Sequence, residues 1–235
     1  MTEPSAGRGG LQRIPRPPGS RGGAPPPWTE LTARQRRFSV GDVRAVVSTL
    51  PAPRTPEIPP GARLAAVLVP IFEEAGEARI VLTKRPDTMP SHQGEIAFPG
   101  GKLEDGVDAD LSATALREAH EEVGLDPGLV DVVAELDSLT TVAGRFVLTP
   151  FVGLIDGRPA LTADSREVDS VFDVTISDLL DDAVYREERW DIPAAFGPEA
   201  GMDRAIHFFE LPGETVWGAT ARILAAFLEH LTARR

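Results

Sequence analysis

The hydrophobic positions of the chain follow two different periods, which separate its helices from its strands. Between residues 40 and 50, valines and a leucine recur every three to four residues, and Ser39 with Asp42 forms a helix-capping signature in front of them. This pattern predicts a helix over 39–50. Residues 216–231 repeat the helical period with one apolar face and predict a second, amphipathic helix.

Runs of β-branched and aliphatic residues predict the strands. Two apolar runs, 64–72 and 78–84, flank a short polar turn and are typical of a β-hairpin. Clusters of glycine, proline and aspartate separate the later runs. These later strand candidates are Val130–Leu136, Phe146–Leu154, Val168–Val174 and Ala205–Glu210. Elements in this order predict one α+β domain built on a mixed sheet.

The first 34 residues follow neither period. Up to Pro27 they are rich in glycine, proline and arginine, a composition that buries too little apolar surface to offset the entropy of the chain. We therefore expect residues 1–34 to form a disordered basic tail and residues 35–235 to form the folded domain. Because the tail lies outside this domain, we also expect it to be dispensable for activity.

Composition and charge narrow the classes of protein to which the chain can belong. It has 235 residues, no cysteine and a formal net charge of −12. The lack of cysteine excludes disulfide scaffolds, thiolate zinc sites and cysteine nucleophiles, and it fits a reducing, cytoplasmic location. An acidic chain without a long apolar run is not expected to bind nucleic acid or a membrane. If the substrate is an anion, a cation must bridge it to this acidic protein.

The chemistry is concentrated in residues 98–125, where a glycine pair precedes an acidic helix. On a helical wheel, Glu118, Glu121 and Glu122 crowd about 100° of one face. Like charges at this spacing destabilise a helix, whereas a hard divalent cation with oxygen ligands reverses that cost. For such a run taken alone, a solvated acidic face is the alternative.

The glycine pair and the helix together resemble the Nudix box. That family's pattern is Gly, five residues, Glu, seven residues, then Arg-Glu-apolar-x-Glu-Glu-x-Gly-apolar, and residues 117–125 match its second half at every position. The first half departs from the pattern, because Ala109 stands in the place of Glu, between Asp108 and Asp110. The resemblance implies a Nudix fold, in which a mixed β-sheet is sandwiched between α-helices.

A second block, residues 82–101, is similar to the signature that precedes the box in the coenzyme A diphosphatase branch of this family. The shared features are Leu82-Thr83-x-Arg85, His92-x-Gly94 and Phe98-Pro99-Gly100-Gly101. This similarity implies hydrolysis of the diphosphate of coenzyme A or an acyl-CoA to 3′,5′-ADP and a 4′-phosphopantetheine. The alternatives are another nucleoside diphosphate derivative, such as ADP-ribose, NADH or a nucleoside triphosphate, and a non-catalytic ligand sensor.

The resemblance also implies roles for individual residues. Mg²⁺ or Mn²⁺ would be held by the three helix carboxylates and the carbonyl of Gly101, with Arg117 orienting the carboxylates. The general base would be a glutamate of the helix or Glu167, for which a plain loop carboxylate is the alternative. The residues given a catalytic or metal-binding role are Glu118, Glu121, Glu122, Arg117, Glu167 and Gly101.

The expected substrate contacts precede the acidic helix. Lys84 and Arg85 end a predicted strand, and such cations bind phosphates, arginine through two parallel hydrogen bonds. His92 would contact the substrate, or else be a surface residue. The full set of expected substrate-binding residues is Lys84, Arg85, His92, Gly94, Gly100 and Gly101. The expected partner is thus a small molecule, and association into a homodimer stays open.

Overall fold

The computed structural model describes residues 8–10, 12, 14–88, 92–141, 144–193, 201–233 and 235. Within these residues the helices are α1 (Val40–Val47), α2 (Leu111–Val123), α3 (Ile176–Leu179) and α4 (Gly218–Thr232), with a 3₁₀ turn at Pro127–Leu129. The strands are β1 (Arg21–Gly22), β2 (Arg63–Glu74), β3 (Glu77–Lys84), β4 (Ile96–Ala97), β5 (Gly100–Lys102), β6 (Val130–Glu135), β7 (Leu139–Thr140), β8 (Phe146–Ile155), β9 (Ser170–Thr175), β10 (Tyr185–Ile192), β11 (Gly201–Leu211) and β12 (Glu214–Val216).

The predicted helices and hairpin are confirmed. Ser39 and Asp42 cap α1 reciprocally, each side chain accepting a hydrogen bond from the backbone amide of the other residue. The β2–β3 hairpin closes through Ala75 and Gly76, both at positive φ, which suits the right-handed twist of paired strands. None of the described helices has the length and hydropathy needed to cross a lipid bilayer.

The larger sheet has the strand order β4-β3-β2-β8-β6, with β5 added to β2, β7 to β8 and β9 to β3. β2 and β8 are parallel over ten residue pairs, and the other pairings described in this sheet are antiparallel. The sheet is therefore mixed. Because β2 is twelve residues long, it pairs with β5 near its start and with β3 at its end.

Alternate residues of β2 face two different cores, as the pleat of a strand requires. Ala66, Leu68 and Phe72 pack in the core that also contains the apolar face of α2. Val67, Val69 and Ile71 face the opposite core, which contains α1 and α4. The sheet thus lies between helices, and the predicted α+β fold is confirmed.

A second sheet, of order β1-β10-β11-β12, packs on α4 and is not predicted by the sequence patterns beyond part of β11. β10 has no apolar alternation, because four consecutive charged residues occupy its centre. They are accommodated by ion pairs along and across the strands, such as that between Arg186 and Glu210 at 2.7 Å. Electrostatic pairing replaces the hydrophobic signal that would identify the strand.

The described residues of the predicted tail are ordered, which differs from the disorder that the sequence predicts. Residues 1–7, 11 and 13 lie outside the described part of the chain. Trp28 is only 1% exposed and packs edge-on against Tyr185, with ring centroids 5.0 Å apart. Arg21–Gly22 pairs with β10 as an edge strand. The composition argument fails here because one buried aromatic residue, Trp28, and backbone pairing with β10 anchor a segment that is otherwise poor in apolar residues. Packed structure therefore begins before residue 35.

Candidate active site

Helix α2 carries the acidic residues of the candidate site, and its two ends are set by local sequence. Asp110 caps the N-terminus, where its carboxylate accepts a hydrogen bond from a first-turn amide at 2.8 Å. Gly124 ends the helix in the left-handed region, with φ of 68°. Buried side chains of the helix, Ala115, Ala119 and Val123, pack against the larger sheet and turn the acidic face toward β5.

Three carboxylates converge beside this helix. Oxygen atoms of Glu118, Glu122 and Glu167 all lie within 4.8 Å of one another. Glu122 is buried, with 5% exposure, Glu118 is partly buried and Glu167 is exposed. In the part of the chain that the structure describes, no other group of metal-ligating side chains comes this close. Oxygen ligands at this spacing suit a hard divalent cation.

Burial and neighbouring negative charges disfavour the ionised forms of two carboxylates of the cluster. Burial raises the pKa of Glu122 to about 7, and the charges of Glu118 and Glu167 add to the rise. A hydrogen bond from Gly100 N at 3.1 Å and the positive charge of Arg85 act in the opposite direction. Burial also raises the pKa of Glu118. A bound dication would stabilise the ionised forms of all three carboxylates.

The glycine pair lies against the backbone of β2 on one side and the Glu118 carboxylate on the other. A Cβ atom at Gly101 would lie 2.2 Å from Glu118 Oε1, and one at Gly100 would lie 2.3 Å from the carbonyl oxygen of Ala66. Both distances are too short for any real side chain. Gly100 is required because the backbone of β2 leaves no room for a side chain, whereas a side chain at Gly101 would force the Glu118 carboxylate to move.

Arg117 holds one side of the site in a fixed arrangement. Its Nε atom donates to Asp108 at 2.8 Å, and its two Nη atoms donate to Glu118 and Glu121, each at 3.0 Å. The Asp108 side chain is 2% exposed, and the hydrogen bond from Arg117 lowers its pKa to about 2. The sequence singles out Asp108 only as a neighbour of Ala109. Its function as the buried partner of Arg117 is visible only in the fold.

Glu121 is not part of the carboxylate cluster, although it belongs to the predicted ligand set. Its side chain is 55% exposed and pairs with Arg117. The cluster instead contains Glu167, which comes from the loop between β8 and β9. Thus the structure brings two of the three predicted helix ligands together with the predicted loop glutamate.

The loop that carries Glu167 is docked on the C-terminal end of α2. Asp164 N donates to the Glu122 carbonyl at 2.8 Å, and Thr162 N donates to the Val123 carbonyl at 2.9 Å. These bonds satisfy carbonyl groups that a helix end leaves unpaired. Helix termination and delivery of Glu167 to the site are therefore achieved by the same contacts.

The two basic residues predicted to bind phosphate, Lys84 and Arg85, differ in their surroundings. Lys84 Nζ lies 2.6 Å from Glu214 Oε1, and this hydrogen bond raises the pKa of Lys84. Arg85 Nε is buried and has no hydrogen-bond partner among the described residues. Its charge acts on the nearby Glu122. Arg85 Nε is therefore a buried donor without a described partner, whereas the charge of Lys84 is already paired with a carboxylate.

His92 and Gly94 belong to the loop before β4; residues 89–91 lie outside the described part of the chain. Both have left-handed backbones, with φ of 58° and 61°. His92 Nδ1 lies 2.8 Å from Glu95 Oε2, a hydrogen bond that raises the pKa of His92. A Cβ atom at Gly94 would lie 2.5 Å from Asp87 Oδ1. The left-handed backbone favours glycine here, and a side chain would also displace the Asp87 carboxylate.

Comparison with known proteins identifies the family. The pattern that defines the NUDIX domain matches residues 62–194. The chain belongs to the Nudix family. The matched region includes both sides of the carboxylate cluster, α2 and the loop of Glu167, and it confirms the family expected from the box.

Curated Nudix hydrolases share substantial identity with this Nudix protein. It is 41% identical over 167 residues to "Nudix hydrolase 22, chloroplastic" of Arabidopsis thaliana, covering 68% of this chain and 52% of that protein. It is 38% identical over 162 residues to "Uncharacterized Nudix hydrolase NudL" of Enterobacter sp. (strain 638), covering 69% and 79%. The chain thus spans about half the length of the plant relative. The plant names refer to chloroplast and mitochondrion, so a cytoplasmic location stays a prediction.

Among solved structures, the MutT/nudix family protein from Enterococcus faecalis matches this Nudix chain with a TM-score of 0.46 and 16% identity. The match covers 80% of this chain and 67% of that chain.

Proposed function

We propose that this Nudix protein hydrolyses the diphosphate of coenzyme A or an acyl-CoA to 3′,5′-ADP and the corresponding 4′-phosphopantetheine. The observation that carries the hydrolytic part is the convergence of Glu118, Glu122 and Glu167 within 4.8 Å. The coenzyme A part is supported by residues 82–101, whose signature includes Arg85 beside the cluster.

The carboxylate cluster fits a divalent cation, for which we propose Mg²⁺ or Mn²⁺. Its donors are hard oxygens, and two of them have pKa values raised by burial, so the site favours added positive charge. Glu118, Glu122 and the carbonyl of Gly101 would hold the ion, with Glu167 at its edge and Glu121 remaining on Arg117. When bound, the ion would neutralise diphosphate charge and acidify a coordinated water.

Glu167 is the general base in this proposal. Glu118 is held by Arg117, and Glu122 is held by Gly100 N, whereas Glu167 is exposed and makes no hydrogen bond of this kind among the described residues. An exposed carboxylate at the edge of the cluster can accept the proton of the attacking water and release it to solvent. Arg117 fixes the orientation of Glu118 during this transfer.

Arg85 is the phosphate-binding residue that the surroundings favour. Its buried Nε donor has no partner, and a guanidinium binds phosphate oxygens through parallel hydrogen bonds. Lys84 is already neutralised by Glu214. An arginine placed beside carboxylates is also a reason why an acidic protein can accept a polyanionic substrate.

A substrate panel tests this proposal. Coenzyme A, acetyl-CoA, NADH, ADP-ribose and a nucleoside triphosphate are incubated with Mg²⁺, with Mn²⁺ or with a chelator, and the products are identified by mass. We expect 3′,5′-ADP from coenzyme A with either metal and none with the chelator. A kcat/KM for ADP-ribose or the triphosphate ten times that for coenzyme A would contradict the substrate. Metal-dependent binding without turnover of any compound would favour a ligand sensor.

A further inference from the structure

We propose that Gln12 and Glu214 are positioning residues for the loop that contains His92 and Gly94, so that the N-terminal segment contributes to substrate affinity. This inference rests on the proposed function, because it takes that loop as part of the substrate-binding site. It replaces the expectation that the segment before the domain is dispensable.

The side chain of Gln12 joins three parts of the molecule. Its Nε2 atom donates to Glu214 Oε2 at 2.7 Å and to the carbonyl oxygen of Gly94 at 3.3 Å. Its Oε1 atom accepts a hydrogen bond from Thr215 N at 3.2 Å. One amide group thus links the N-terminal segment, the start of β12 and the predicted substrate loop.

Glu214 continues this connection into the end of β3. Its second oxygen, Oε1, lies 2.6 Å from Lys84 Nζ, and both side chains are about one quarter exposed. Lys84 directly precedes Arg85, whose backbone amide donates to the Glu95 carbonyl at 3.0 Å. Glu214 therefore contacts the beginning of the loop through Lys84 and the end of the loop through Gln12.

The position of Gln12 is set by backbone contacts of its neighbours. Gly9 N donates to the Leu211 carbonyl at 2.8 Å, and Gly10 N donates to Thr215 Oγ1 at 2.9 Å. These bonds fix the segment on the β11–β12 turn. The arrangement brings a residue from the start of the chain to a loop more than eighty positions away.

The expected effect of this connection is on binding rather than on the chemical step. The loop contains two residues in left-handed conformations, and restricting it in advance lowers the entropy lost when substrate binds. Neither Gln12 nor Glu214 is in the carboxylate cluster of Glu118, Glu122 and Glu167. Loss of the connection should therefore raise KM and leave kcat nearly unchanged.

The test compares Gln12→Ala, Glu214→Gln and the double variant with Arg16→Ala. Arg16 belongs to the same segment but pairs with Glu188 of β10, at 2.9 Å, and has no described contact with the loop. Gln12→Ala should raise KM for the turned-over diphosphate about three- to tenfold, the factor of one hydrogen bond, with kcat within about twofold. Glu214→Gln also frees the Lys84 ammonium, a predicted phosphate ligand, so its effect on the loop is measured by hydrogen exchange rather than by KM. The double variant should not exchange the amides of residues 92–95 faster than the more affected single variant, because both changes break one network. Arg16→Ala should leave KM unchanged.

Hydrogen exchange of the amides of residues 92–95 provides a readout independent of turnover. It should be faster in Gln12→Ala than in the parent protein and unchanged in Arg16→Ala. Unchanged exchange in Gln12→Ala, an equal KM increase in Arg16→Ala, or faster exchange with unchanged KM would each overturn the inference. If no compound of the panel is hydrolysed, the proposed function fails, whereas exchange still decides whether the connection exists.

Discussion

At the scale of single residues, Glu122 combines two properties that folding alone would not favour, deep burial and close carboxylate neighbours. Its pKa of about 7 in the folded protein lies above the ordinary value of 4.5. In this window the unfolded chain has released the proton that the folded protein still holds, so stability falls as the pH rises from about 4.5 to 7. A shift of this size corresponds to a free energy on the order of 3 kcal/mol above neutral pH.

We expect Glu122→Gln to be more stable than the parent protein at pH 8 without metal, and to lose orders of magnitude in kcat with Mg²⁺. Calorimetry in a chelating buffer at pH 5 and pH 8 measures the first effect. The matched control is Glu135→Gln, on the exposed end of β6. If the melting temperatures of Glu122→Gln and the parent protein fall equally between pH 5 and 8, Glu122 does not carry this cost.

The pKa of Asp108 is shifted in the opposite direction from that of Glu122. Its folded pKa of about 2 lies below the ordinary value of 3.8, so the stability that it contributes is present above that value and is lost as the pH falls through 2. Asp108→Asn should lower the free energy of unfolding by about 2 kcal/mol at neutral pH, the loss of a charged hydrogen bond to Arg117. It should also lower kcat, because Arg117 then orients Glu118 less well.

Urea unfolding at pH 7 and steady-state kinetics measure both effects of Asp108→Asn. Asp110→Asn is the matched control two positions away, because asparagine caps a helix as well as aspartate does. A stability loss no larger than that of this control would contradict the anchoring role of Asp108.

At the scale of elements, β5 lies so close to α2 that the carboxylate of Glu118 fills the space beside Gly101. Gly101→Ala places a methyl group where Glu118 Oε1 now lies, so it should displace that carboxylate. We expect weaker binding of Mn²⁺, measured by electron paramagnetic resonance, together with a large fall in kcat. Gly22→Ala is the control, since a Cβ atom there meets nothing within 4 Å. Unchanged Mn²⁺ affinity in Gly101→Ala would show that Glu118 is not a ligand.

The site also depends on how α2 ends. The loop after β8 donates hydrogen bonds to the carbonyl groups of Glu122 and Val123, and this contact places Glu167 beside the helix. If Glu167 is the general base, Glu167→Gln should lower kcat at least a hundredfold, with metal affinity reduced less. Pre-steady-state hydrolysis and Mn²⁺ titration separate these effects, with Glu135→Gln again as control. A kcat equal to that of the parent would exclude the role.

At the scale of the whole molecule, the N-terminal segment spans the second sheet and reaches the substrate loop. Deleting residues 1–12 should raise KM, because it removes Gln12, and should lower the melting temperature only slightly. Deleting residues 1–27 also removes β1 and the ion pairs of Arg16 and Arg21, so it should lower the melting temperature further. Scanning calorimetry and KM of the two truncated proteins test this order. If both truncated proteins had the melting temperature and KM of the full chain, the tail would be dispensable, as the sequence predicted.

Local pattern in the sequence was sufficient for the elements whose signal is periodic. The cap at Ser39 and Asp42, the β2–β3 hairpin and the helix that carries Glu118 and Glu122 follow from contacts a few residues apart. These two glutamates share a face because the helical period places them together, wherever the helix packs. The acidic face of α2 was therefore predictable from local pattern, whereas the Nudix fold was implied by the resemblance of residues 117–125 to the Nudix box.

Only the tertiary structure decided which distant residues meet that helix. Glu167 replaces Glu121 in the cluster because a loop docks on the end of α2, and Asp108 faces Arg117 because the preceding loop folds back. The second sheet and the contact of Gln12 with Gly94 are likewise hidden, since charged strands and a glycine-rich segment have no hydrophobic period. Such contacts join residues that are far apart in the chain, and the local sequence around either residue does not identify its partner.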